Sequence, residues 1–94
     1  VVEISSGKPY SESKISENKF VRTFDEKVIN DELVWHRDRK SRTIKVLNGK
    51  GWKLQYDNQL PIELINGAKY FIAKGTFHRI HKGKNKLKVE IVEE

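Results

Sequence analysis

The segment WHRDRKSRTIKVLNG, Trp35 to Gly49, holds a histidine and an aspartate two residues apart, His36 and Asp38, and a guanidinium four residues further on at Arg42. On an extended chain, residues two apart point to the same side. The pair can therefore serve one metal ion together, or it can belong to a solvated charged turn. The chain contains no cysteine, which removes thiolate metal sites, disulfides and cysteine nucleophiles and leaves His, Asp and Glu as ligands. Three histidines are available: His36, His78 and His81.

Alternation decides which of these groups can meet. In RTIKVL, Arg42 shares parity with Ile44 and Val46 and is expected to point inward. In ELVWHRD, Val34, His36 and Asp38 share one face, while Leu33, Trp35 and Arg37 share the other. In FHRIHK, His78 goes with Ile80 and His81 with Arg79. His36, Asp38 and His78 can thus converge inside a barrel, with His81 outside it. Gln55 is expected to point outward from WKLQYD. Tyr56, with Trp52 and Leu54, belongs to the other set, as a ligand contact or as core. Arg22 shares parity with Phe20 and Phe24, which makes it either an anion anchor in the pocket or an edge-strand side chain that snorkels to water. Trp35 and Phe77 should lie on outer faces, where large aromatics suggest a dimer contact.

These positions need strands to hold them. Eight runs of period two are visible, KFVRTF, ELVWHRD, RTIKVL, WKLQYD, PIELI, KYFIA, FHRIHK and KLKVEIVE, spaced as in a β-sandwich or barrel. Asn48-Gly49 and Asn66-Gly67 are expected to supply positive φ in the turns. Residues 1–19, rich in Ser, Lys and Glu, read as an N-terminal arm or edge segment, and residues 20–94 as the barrel. FDEKVINDEL has room for a turn of helix, and no segment has a longer helical period.

With 94 residues, the chain is of a size for one domain with one core. It is 36% hydrophobic and 34% charged, without an apolar run long enough to span a membrane and without a signal-peptide pattern, so a cytoplasmic location away from membranes is expected. Its net charge of +6 favours anionic partners. The basic clusters HRDRKSR and HKGKNKLK lack the interleaved aromatics of a base-stacking platform, so nucleic acid is not the expected partner.

Residues 36–85 resemble a small single-domain cupin of the RmlC-like type. That family's first motif reads G-x5-H-x-H-x3,4-E-x6-G and its second G-x5-P-x-G-x2-H-x3-N. Here the first runs His36-x-Asp38-x3-Arg42-x6-Gly49 and the second Gly67-x5-Ala73-x-Gly75-x2-His78-x3-Lys82. The spacing matches at every anchor from His36 onward. Asp38 stands for the second histidine, Arg42 for the glutamate, Ala73 for the proline, Lys82 for the asparagine and Asn30 for the leading glycine.

The resemblance implies an all-β fold, a cupin-type jelly roll or double-stranded β-helix barrel, with a metal held by His36, Asp38 and His78. Two imidazoles and a carboxylate on one face of an ion suit Fe(II), with Mn, Ni, Co or Zn also compatible. The order H-x-D…H is also similar to that of 2-oxoglutarate oxygenases. Those carry a cation past the distal histidine, whereas Lys86 and Lys88 here have the parity opposite to Leu87, Val89 and Ile91.

Arg42 cannot be a ligand, because a guanidinium is always charged and has no lone pair to donate. It can pair bidentately with Asp38 in a metal-free pocket, or reach over the metal to an anionic substrate. The expected function is dioxygenase- or isomerase-type chemistry on a small anionic organic molecule, with Arg42 in a catalytic, substrate-orienting role and Tyr56 and Arg22 as further substrate contacts. The alternatives are a non-catalytic small-molecule or sugar-binding barrel without metal, and a basic interaction module.

Overall fold

A computed structural model of the chain describes residues 10–27 and 33–94. Residues 1–9 of the expected arm, Asn30 and half of FDEKVINDEL lie outside the described residues. The strands are β1 (Tyr10–Ser16), β2 (Lys19–Phe24), β3 (Arg42–Asn48), β4 (Lys53–Tyr56), β5 (Ile62–Glu63), β6 (Lys69–Ile72), β7 (His78–His81) and β8 (Leu87–Glu93). Two antiparallel sheets result, one in the order β1-β2-β8-β3-β6 and one in the order β5-β4-β7. Among the described residues no helix is long and apolar enough to cross a membrane.

The inner face of the larger sheet follows from register. Directly opposed residues share a face, so the pairings Arg22↔Val89, Phe20↔Ile91 and Phe24↔Leu87 turn all six side chains to one side. Val46↔Val89, Ile44↔Ile91 and Arg42↔Glu93 continue those rows onto β3. Leu87, Val89 and Ile91 are almost fully buried, while Lys86 and Lys88 are exposed outside. No cation of β8 enters the interior. From the smaller sheet Leu54 enters the same core, and Trp52, fully buried just before β4, donates its Nε1–H to the Asn85 carbonyl at 2.7 Å.

Two tyrosines link the sheets near β6. Tyr70 on β6 donates to the Glu63 carbonyl at 3.0 Å and accepts from the Ile65 N–H at 2.9 Å. Tyr56 on β4 donates to the Phe71 carbonyl at 2.8 Å.

Two local expectations are corrected. ELVWHRD is not a strand: among its described residues pairing is confined to the bridge between His36 and His78. Without a ladder before His36, period two does not apply there, so Leu33 is buried at 5% exposure and Val34 stands out at 60%. The positive φ after β3 belongs to Gly51 rather than Gly49, because β3 runs through Asn48 with an irregularity after Val46 that delays the turn. Of the two readings of residues 1–19, arm or edge segment, the described part YSESKIS takes the second: it is β1, an edge strand hydrogen-bonded to β2.

Gly83 supports Trp52 by its lack of a side chain. A Cβ there would run into the Lys50 carbonyl and the Trp52 backbone and indole. Backbone cannot yield as a flexible side chain can, so Gly83→Ala is expected to destabilise the protein by about 3 kcal/mol, at the upper end of overpacking costs. Denaturant unfolding followed by Trp fluorescence measures it; a midpoint like that of the parent protein would show that the contact relaxes.

Candidate metal centre and cavity

Backbone pairing brings the chemistry together. His36 N–H donates to the His78 carbonyl and His78 N–H to the His36 carbonyl, both at 3.0 Å. A directly opposed, doubly bonded antiparallel pair puts both side chains on one face, and the two imidazole rings lie 4.3 Å apart between centroids. Asp38 follows two residues after His36 on the same side. Its carbonyl accepts from Gly75 N–H at 2.9 Å, and Gly75 sits at φ +78°, a conformation that favours glycine. The β6–β7 turn thereby fixes the backbone under the carboxylate.

Both imidazoles are oriented in the same way. His78 Nδ1 is 2.8 Å from the Thr76 carbonyl, and His36 Nδ1 is 3.0 Å from the Val34 carbonyl. A carbonyl can only accept, so each Nδ1 carries the hydrogen, and in the neutral ring Nε2 presents its lone pair. Those lone pairs face Asp38: His78 Nε2 lies 3.3 Å from Oδ2 and His36 Nε2 3.7 Å from Oδ1. Oδ2 is buried and has no hydrogen-bond partner among the described residues. Acceptors turned toward one another lack the positive charge that a proton or a metal ion supplies. One ligand atom from each of the three residues lies within 4.8 Å of the others, a separation suited to one ion. Carbonyl groups holding the remote imidazole nitrogen are the usual outer support of metal-bound histidine.

Burial pushes the Asp38 carboxyl upward. With a proton on His78 Nε2 in place of a metal ion, hydrogen bonding from His78 and the charges of Arg42, His78 and His36 outweigh it and hold the group below its ordinary value. A carboxylate depressed in this way stabilises the fold above its unfolded pKa, and that contribution is lost as pH falls through the folded one. Asp38→Asn in metal-free protein should therefore lower Tm at neutral pH, with the gap closing in acid. Thermal unfolding from neutral to strongly acidic pH checks this; a gap independent of pH would mean that Asp38 is not held ionised.

Arg42 reaches the centre from β3, with Nη1 3.5 Å from Asp38 Oδ1. Its stronger partner is Glu93, whose Oε2 accepts from Nε at 2.9 Å and lies 2.7 Å from Nη2. The bidentate Arg42–Asp38 pair, the outcome expected of a metal-free pocket, does not form. Glu93 is the residue that the motif comparison missed. Its parity with Leu87, Val89 and Ile91 is the signal that marks it as inward.

The centre opens into a cavity of about 320 Å³ between the sheets. His36, Asp38, His78, Arg42 and Arg22 supply its polar groups, and the rest of the wall is aliphatic and aromatic. Tyr56 does not line it. Although it is opposite His78 in register, its hydroxyl is used on Phe71, and burial with Tyr70 nearby pushes its phenol upward, so it stays a protonated donor. His81 points outward onto Gln55 Oε1, 2.7 Å away. Trp35 and Phe77 stack on each other at 5.5 Å, with Arg79 over the first ring and Arg37 over the second, so each finds a partner within the chain.

Comparison of folds agrees with the topology. The chain matches the DMSP lyase DddQ of Ruegeria pomeroyi with a TM-score of 0.78 at 11% identity, over 99% of this chain and 50% of that one. It matches HppE in complex with Co(II) and substrate at 0.68 and 16% identity, over 100% and 57% of the two chains. An RmlC-like cupin family protein with a double-stranded β-helix fold from Methanocaldococcus jannaschii matches at 0.66 and 13%, over 98% and 85%. The chain thus spans about half the length of DddQ and little more of HppE. What is shared at these identities is the fold: this is a single barrel of the cupin type, a double-stranded β-helix. No family model and no curated protein matches the sequence itself.

Proposed function

We propose that the chain is a metal-dependent cupin barrel that acts on a small anionic organic molecule in oxygenase- or isomerase-type chemistry. The observation that carries this reading is the set of converging acceptors, two Nε2 lone pairs fixed by backbone carbonyls and a buried Asp38 oxygen without a donor among the described residues. Two imidazoles and one carboxylate suit Fe(II) first, and Mn, Co, Ni or Zn next. HppE, one of the proteins of similar fold, binds Fe(II) or Co(II) together with its substrate.

When bound, such an ion supplies a Lewis acid and, if it is iron, an electron carrier for O2 chemistry. The chain's own residues do the rest. Thr76 and Val34 hold the imidazoles in place through their carbonyls. Glu93 holds Arg42 at the cavity wall, where its guanidinium can orient an anionic group beside Asp38. The aliphatic walls exclude water, which strengthens every electrostatic contact inside.

Elemental analysis of protein purified without chelator or metal-binding tag tests the reading. Near-stoichiometric iron or another transition metal is expected, followed by turnover of small carboxylates under O2 or by their isomerisation. Protein that takes up no metal even on reconstitution would sink the proposal.

A further inference from the structure

The inner face of the larger sheet carries a second charged row besides Arg42–Glu93. Glu12 on β1 is directly opposite Arg22 on β2, and Glu12 Oε1 accepts from Arg22 Nη2 at 2.9 Å. The guanidinium lies over the Tyr10 ring, 3.8 Å from its centroid, and the side chain is 12% exposed. Its Nε is buried with no hydrogen-bond acceptor among the described residues, so this cation is stacked and shielded but incompletely hydrogen-bonded. A buried donor without an acceptor is costly, and Arg22 lines the cavity, so an anion arriving from inside meets a guanidinium whose hydrogen-bonding capacity is not filled.

Arg22 is remote from the metal centre. Along β8, its partner Val89 and Arg42's partner Glu93 are four residues apart, and β2 and β3 flank β8 on either side. At ordinary strand rise and spacing, the two arginine Cα atoms are then about 16 Å apart. Between their rows lies an apolar row of Phe20, Ile91 and Ile44. The cavity offers one end with three metal ligands, another with a guanidinium, and an aliphatic wall between.

We infer that Arg22 is the anchor for a carboxylate at the end of the substrate remote from the metal, so that the substrate is an amphipathic acid with an aliphatic middle. Where the other end goes rests on the proposed metal function; the carboxylate site itself does not. A cavity of about 320 Å³, at about 30 Å³ for each water-sized volume, takes on the order of ten heavy atoms. Octanoate has that size, and octanamide is its uncharged isostere.

Calorimetry with these two probes on chelator-treated, metal-free protein tests the inference. Octanoate is expected to bind saturably and at least ten-fold more tightly than octanamide. Arg22→Gln should remove that preference, Arg22→Lys should keep part of it, and Glu12→Gln should strengthen octanoate binding by removing the competing carboxylate. Near-UV circular dichroism verifies that each variant is folded. Co(II) titration of Arg22→Gln should give the parent affinity, which separates this site from the metal centre: failure to bind Co(II) in both proteins would sink the function above and leave the octanoate result standing. Equal affinity for octanoate and octanamide, no saturable octanoate binding, or a loss of octanoate on Arg42→Gln but not on Arg22→Gln would each overturn the assignment.

Discussion

His78→Ala is expected to abolish metal binding, lowering affinity by more than 100-fold. Loss of an outer-shell partner alone typically costs 10–100-fold, and His78 supplies a ligand atom itself. It is also the most enclosed of the three residues at 3% exposure, so water has little room to take its place. His36→Ala should act in the same direction but less steeply, because its side chain is 45% exposed and solvent can fill the position. His81→Ala is the matched control. It removes an imidazole from the same strand but from the outer face, and metal affinity should not change. Titration with Co(II) or Zn(II), read by calorimetry, compares all three. Parent-like affinity in His78→Ala would show that the converging donors are not the site, and metal loss in His81→Ala would overturn the assigned faces of β7.

Glu93→Gln is expected to weaken metal binding about ten-fold although Glu93 is not a ligand. Glu93 holds the Nε and Nη2 sides of the Arg42 guanidinium, which leaves Nη1 no closer than 3.5 Å to Asp38. Once Glu93 is neutral, the strongest remaining acceptor for Arg42 is the Asp38 carboxylate, and a metal would have to compete with a charge-assisted pair. The side chains are only 17% and 16% exposed, so the substitution should also cost about 3 kcal/mol of stability, the lower figure for breaking a buried pair. Adding Arg42→Gln should restore metal affinity by removing the competitor. A purely structural role for Glu93 would lower stability and leave the double variant no better at holding metal than the single. That outcome would reject the clamp.

The barrel was largely legible in the chain. The strands β2, β3, β4, β6, β7 and β8 coincide with alternating runs, because each turns one set of alternate side chains toward the core, which imposes period two. Arg42 and His78 inside and His81 outside followed from the same alternation. Two elements escaped it for opposite reasons. β1 has no alternating apolar signal, since Glu12 and Lys14 occupy its inward positions on an edge strand. ELVWHRD has the signal without the strand: among its described residues pairing is confined to His36.

Sequence by itself determined which groups could share a face, and the absence of cysteine confined metal ligation to imidazole and carboxylate. Tertiary structure decided who pairs with whom. Glu93, 51 residues from Arg42, outcompetes Asp38, four residues from it. Tyr56 spends its hydroxyl on a carbonyl of the opposite sheet, and Trp35 meets Phe77. The physical reason is common to all of these. Parity is local, reporting only the side of the strand to which a group points, whereas a hydrogen bond, an ion pair or a ring stack depends on register between strands distant in sequence, and that is set when the two sheets close on their core.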